Sequence, residues 1–110
     1  MAEELASAIE APHCILLNGS LGSGKTTFAQ FFINCLDKNI VVTSPTFNII
    51  NIYDTIKGSV LHADLYRLSN ENELEVLGIL EFIRNGITII EWPDIIKPFL
   101  VNIKLTEINL

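Results

Sequence analysis

Gly19-Ser20-Leu21-Gly22-Ser23-Gly24-Lys25-Thr26 fits the spacing G-x-x-x-x-G-K-[ST] without a mismatch. The pattern suits the wrapping of a phosphate chain. Backbone N–H groups of the whole loop, Gly19, Leu21, Gly22, Ser23 and Gly24 among them, must turn inward, and side chains would obstruct that approach. A helix beginning near Lys25 adds the positive end of its dipole. Lys25 is placed to reach β- and γ-phosphates as a point charge, and the Thr26 hydroxyl to ligate Mg²⁺.

A triphosphate arrives with Mg²⁺, so carboxylates should stand near it, most naturally at the ends of buried strands. Glu91 follows Ile87-Thr88-Ile89-Ile90, and Asp64 follows Val60-Leu61-His62-Ala63. Thr43-Ser44-Pro45-Thr46-Phe47 supplies hydroxyls on a proline-stiffened turn that could sense a γ-phosphate. Taken singly, His62 and Trp92 read as structural residues, and Glu71, Glu73, Glu75 and Glu81 as a solvated helix face.

The elements that position these groups can be read from periodicity. Glu3 to Glu10 has helical spacing and stops at Pro12. Cys14-Ile15-Leu16-Leu17 reads as a buried strand leading into the glycine loop. Phe28, Phe31, Phe32, Cys35 and Leu36 then mark one helix face, closed by Asp37-Lys38-Asn39. Ile40-Val41-Val42 and Phe47 to Tyr53 read as strands, as does Val60-Leu61-His62. Asn70 with Glu73 signals the start of a helix from about Asn72, breakable at Gly78. Ile87 to Ile90 is the strongest strand, and Val101, Ile103 and Leu105 alternate like a half-exposed one. Strands alternating with helices predict an α/β fold with a mostly parallel central sheet flanked by helices, its ligands beyond the carboxyl ends of the strands.

The chain has 110 residues, enough for one domain, 1–110; 49 % of them are hydrophobic, so a packed core is expected. The seven basic residues include only two arginines, Arg67 and Arg84, and the net charge of −6 argues against independent nucleic-acid binding. No apolar run approaches the ~20 residues of a membrane helix, and the acidic start Met1-Ala2-Glu3-Glu4 does not resemble a secretory signal. Cys14 and Cys35 form no metal or disulfide framework and read as two buried free thiols. A cytoplasmic protein away from membranes is expected.

Several segments together resemble a known family. Gly19 to Phe28 reads GSLGSGKTTF, Ser44 to Phe47 SPTF, His62 to Leu68 HADLYRL, and Ile90 to Pro93 IEWP. Their order and spacing resemble the TsaE (YjeE) family of bacterial ATPases, needed to make threonylcarbamoyl adenosine beside the anticodon of certain tRNAs. The resemblance runs from about Ile15 to about Pro93. It implies a P-loop NTPase-like fold, shortened here, with ATP and Mg²⁺ as ligands. Gly22, Gly24, Lys25, Thr26 and Thr27 would bind phosphates, with Thr26 and Glu91 on the metal. Thr46 would be a switch element near the γ-phosphate, and Asp64 would act on the metal's water shell or on the attacking water. Trp92 would border the nucleotide, and Tyr66 and Arg67 would serve the partner or the switch. TsaB-like and TsaD-like proteins would be the partners, and tRNA would be met through that complex, which ATP turnover would reset. Two arginines leave little for an internal arginine finger, so hydrolysis alone should be slow and partners should stimulate it. Two other readings compete: a small-molecule P-loop kinase, and a non-catalytic nucleotide-binding assembly module.

Overall fold

The computed structural model describes residues 2–45 and 48–110. The Thr46 switch assignment and Phe47 therefore lie outside the described residues; the strand expected from Phe47 to Tyr53 begins only at Ile50, with Asn48 and Ile49 outside it. Five strands form one sheet: β1 (His13–Asn18), β2 (Ile50–Thr55), β3 (Gly58–Asp64), β4 (Ile87–Glu91) and β5 (Leu105–Asn109). Their order is β2-β3-β4-β1-β5; β2 pairs antiparallel with β3 and every other pairing is parallel. The three central strands are apolar because helices cover both faces, as parallel sheets require. Ile87, Thr88, Ile89, Ile90 and Glu91 are all buried.

Side-chain alternation divides the core in two. Ile15, Leu17, Val60, Ile87 and Ile89 face α1 (Ala2–Ala8) and α2 (Lys25–Leu36). Cys14, Leu16, Leu61, Ala63 and Ile90 face α3 (Asn72–Val76) and α4 (Ile79–Ile83), which are separated by Leu77-Gly78 as the sequence allowed. Two 3₁₀ turns, Pro93–Ile95 and Lys97–Phe99, carry the chain towards β5.

Four further sequence expectations are corrected. Ile40-Val41-Val42 is not a strand: it has no ladder partner among the described residues, and Val41 is 83 % exposed. Side chains hold the segment instead, Asn34 Nδ2 donating to Ile40 O at 2.8 Å and the Thr43 N–H donating to Tyr53 Oη at 3.1 Å. The last strand begins at Leu105, not Val101, because the ladder pairs Leu105 with Cys14 and Asn109 with Asn18. The buried face of α2 is Ala29, Phe32, Ile33 and Leu36, rotated from the predicted stripe, so Phe31 is 52 % exposed. Cys35, on that outer side, is exposed; of the two thiols only Cys14 is buried.

Burial pushes the Cys14 thiol up to about 12. It should resist thiol reagents, since the thiolate is the nucleophile. With Ellman's reagent at pH 8, one thiol is expected to react promptly in the native chain and the second only on unfolding. Two prompt thiols would contradict this packing.

The turn between β2 and β3 ties α1 to the sheet. Lys57 Nζ donates to Ala6 O at 2.9 Å, Ser7 O at 3.1 Å and Ile9 O at 3.5 Å, satisfying carbonyls at the end of that helix. Lys57→Met keeps the apolar stem and removes the charge. It is expected to cost about 1 kcal/mol in chemical denaturation; an unchanged midpoint and slope would contradict the cap.

Candidate nucleotide site

The glycine loop lies between the carboxyl end of β1 and the start of α2. Gly22 and Gly24 have φ of 78° and 97°, left-handed conformations that suit glycine. Gly24 caps α2, and its carbonyl accepts the Phe28 N–H at 2.8 Å, so the helix begins at Lys25 with N–H groups facing the loop. The side chain of Lys25 folds back: Nζ donates to Gly19 O and Ser20 O, each at 2.8 Å, and to Ser23 Oγ at 3.3 Å. It also lies 4.0 Å from the centroid of the Trp92 ring.

Sheet register brings the acidic groups to the same place. Alternation along β3 puts His62 and Asp64 on the α2 face, and alternation along β4 puts Glu91 there with Ile87 and Ile89. Asp64 pairs with Glu91 across the two strands. The Thr26 hydroxyl, in the first turn of α2, donates to Glu91 Oε1 at 2.8 Å, with Oε2 at 3.0 Å. His62 Nε2 lies 2.6 Å from Glu91 Oε2. Asp64 is half-buried, and its Oδ1 accepts the Tyr66 N–H at 3.0 Å.

These groups meet at one cavity of about 390 Å³, lined by the loop from Leu21 to Thr27 and by Asp64, Tyr66, Glu91 and Trp92. Trp92 is in the left-handed region, φ 57° and ψ 63°, rare for a bulky side chain and costing about 1–3 kcal/mol. That strained turn presents its indole to Lys25, and the Tyr66 ring packs against it, tilted by 47° with centroids 4.8 Å apart. Of the expected site residues, Leu21, Gly22, Ser23, Gly24, Lys25, Thr26, Thr27, Asp64, Glu91 and Trp92 line this cavity. Gly19 lies at the base of the loop, where its carbonyl holds Lys25.

Sequence reasoning missed the His62–Glu91 pair. A signal was available: His62 and Asp64 are two apart in a strand and therefore share a face.

The family model described as threonylcarbamoyl adenosine biosynthesis protein TsaE matches residues 1–110. The chain belongs to the TsaE family. It is thus a member of a family of tRNA threonylcarbamoyladenosine biosynthesis. A TsaE protein of Rickettsia bellii is 39 % identical over 110 residues, covering 99 % of this chain and 76 % of the relative. One from Aquifex aeolicus is 41 % identical over 100 residues, covering 89 % and 71 %. The crystal structure of Bacillus subtilis YdiB superposes with a TM-score of 0.68 at 29 % identity, covering 98 % of this chain and 66 % of that one. The α/β P-loop architecture expected of a TsaE chain is therefore the one observed.

Proposed function

We propose that this chain binds ATP with Mg²⁺ and hydrolyses it as the ATPase subunit of threonylcarbamoyl adenosine synthesis on tRNA. In this reading it works in the cytoplasm, cycles a complex of TsaB-like and TsaD-like proteins, and meets tRNA through them. The observation that carries the reading is the Thr26–Glu91 hydrogen bond at the mouth of the glycine cradle, with Asp64 beside it.

The residues fit the ligands. The segment from Leu21 to Thr27 offers backbone N–H groups, Lys25 a cation, and Trp92 a ring beside them. Thr26 and Glu91 are hard oxygen donors of the kind Mg²⁺ takes in small number when phosphates and water complete its shell. Bound Mg²⁺ would neutralise charge on the phosphate oxygens.

The chain's own groups then have distinct tasks. Lys25 exchanges the carbonyls of Gly19 and Ser20 for phosphate oxygens. Asp64, one oxygen held by the Tyr66 N–H, orients the attacking water with the other. Water oxygen bonds to the γ-phosphorus as the bond to the bridging oxygen breaks, leaving ADP and phosphate. Thr46 is the switch element of this reading. The chain has only two arginines, Arg67 and Arg84, which supports slow turnover until a partner completes the site. Among the described residues no helix is long and apolar enough to cross a membrane.

The test is phosphate release from ATP with no acceptor present, with and without TsaB-like and TsaD-like proteins. Slow release that the partners accelerate is expected. Transfer to a metabolite with negligible hydrolysis would replace this reading with a kinase. Binding with no release under either condition would replace it with a non-catalytic module.

A further inference from the structure

His62 has no task in the reading above, yet its placement is unusual. It is fully buried, and Glu91 is 2 % exposed. Burying a carboxylate costs several kcal/mol unless hydrogen bonds compensate. Glu91 receives two compensating donors, the Thr26 hydroxyl and the His62 ring, and they are not equivalent. Thr26 makes its shorter bond to Oε1, at 2.8 Å, whereas His62 holds Oε2 at 2.6 Å. A metal would take a lone pair of the Thr26 oxygen and leave its O–H on Oε1, so the imidazole is the shorter-bonded donor that fixes Oε2.

The ring is fixed in turn by the sheet. His62 pairs with Ile89 in the β3–β4 register, two positions before Asp64 pairs with Glu91, so it reaches Glu91 diagonally from the neighbouring strand. A carboxylate accepts only, so the proton between them sits on Nε2. Nδ1 is buried with no hydrogen-bond partner among the described residues. A neutral ring protonated at Nε2 leaves there a bare acceptor, whereas an imidazolium would leave a buried N–H unmatched.

We infer that His62 is a positioning residue: its Nε2–H pins Oε2 of Glu91 from within the sheet, so that Oε1 is presented with Thr26 to the metal of the nucleotide. This rests on the nucleotide reading above. Partners of this kind, one bond removed from a metal, typically change metal affinity or activity by about 10–100-fold when lost.

The experiment compares three variants in the full chain by Mg²⁺ titration of ATP binding, with ATP binding in EDTA as the control. Glutamine places its amide nitrogen as many bonds from Cβ as the histidine Nε2, and asparagine as many as Nδ1. His62→Gln is expected to keep the Mg²⁺ half-saturation within about threefold of wild type. His62→Asn and His62→Leu are expected to raise it about tenfold or more, with affinity in EDTA unchanged in all three. A merely structural role would lower both affinities together and would not separate glutamine from asparagine. Wild-type Mg²⁺ dependence in His62→Asn and His62→Leu would overturn the inference alone. Failure of the unaltered chain to bind ATP at all would overturn the nucleotide reading and this inference with it. Should His62→Leu not fold, the glutamine and asparagine variants decide the matter between them.

Discussion

Lys25→Ala is expected to lose ATP binding by roughly two to four orders of magnitude. Two charge-assisted hydrogen bonds to phosphate, at about 1.5–3 kcal/mol each, give that range. The lower end is favoured, because the ammonium already has partners to give up. In the free chain it is bonded to Gly19 O, Ser20 O and Ser23 Oγ and lies over Trp92. The fold should survive, since the carbonyls that lose the ammonium belong to half-buried Gly19 and exposed Ser20 and can turn to water. Calorimetric titration with ATP, alongside a thermal melt, checks both statements. A variant that binds ATP like wild type would mean that the phosphates lie elsewhere.

The second large effect is expected at Glu91. Glu91→Gln preserves shape and removes one buried negative charge. The amide can still accept from His62 through its oxygen and meet the Thr26 oxygen through its nitrogen, so stability should change little; neutral replacements of buried charges are often tolerated when their partners remain satisfied. The effect falls on the metal. Loss of an anionic oxygen ligand is expected to raise the Mg²⁺ concentration needed for half-maximal ATP hydrolysis at least about tenfold. Binding of metal-free ATP is expected to hold or tighten, because a like charge beside the phosphates has gone. Opposite movement of these two quantities separates a metal ligand from a residue that only supports the fold. An unchanged metal titration would remove Glu91 from this role.

Much of the site was legible because its parts are local or repeat with a fixed period. The glycine loop is contiguous, and β1 and β4 read plainly as apolar runs because both their faces are covered. The two carboxylates were found as the ends of such runs, and register then placed Asp64 opposite Glu91. What escaped depends on contacts distant in sequence. The contact between His62 and Glu91 spans 29 positions, and its one trace in the sequence is that His62 shares a strand face with Asp64. A buried histidine alone does not announce what it touches.

The elements misread were those where composition and packing disagree. Ile40-Val41-Val42 has the β-branched composition of a strand, but the sheet edge ends at β2, which reaches β3 through a tight turn. At the other edge, alternation from Val101 suggested a strand that pairing with β1 delays to Leu105. Asn102, in a left-handed conformation at φ 60°, interrupts extended backbone there. On α2 the aromatic residues drew the predicted stripe to Phe28 and Phe31, whereas small Ala29 lets the helix lie close to the sheet, with Phe32, Ile33 and Leu36 completing the face.

Backbone amide NMR of the full chain during titration with ATP and Mg²⁺ tests the phosphate cradle most directly. Resonances of Gly22, Gly24, Lys25, Thr26 and Thr27 should move furthest, with the Trp92 indole signal following as Lys25 leaves its ring. Saturating nucleotide that leaves those amides still, while shifting residues remote from β1 and α2, would contradict the account.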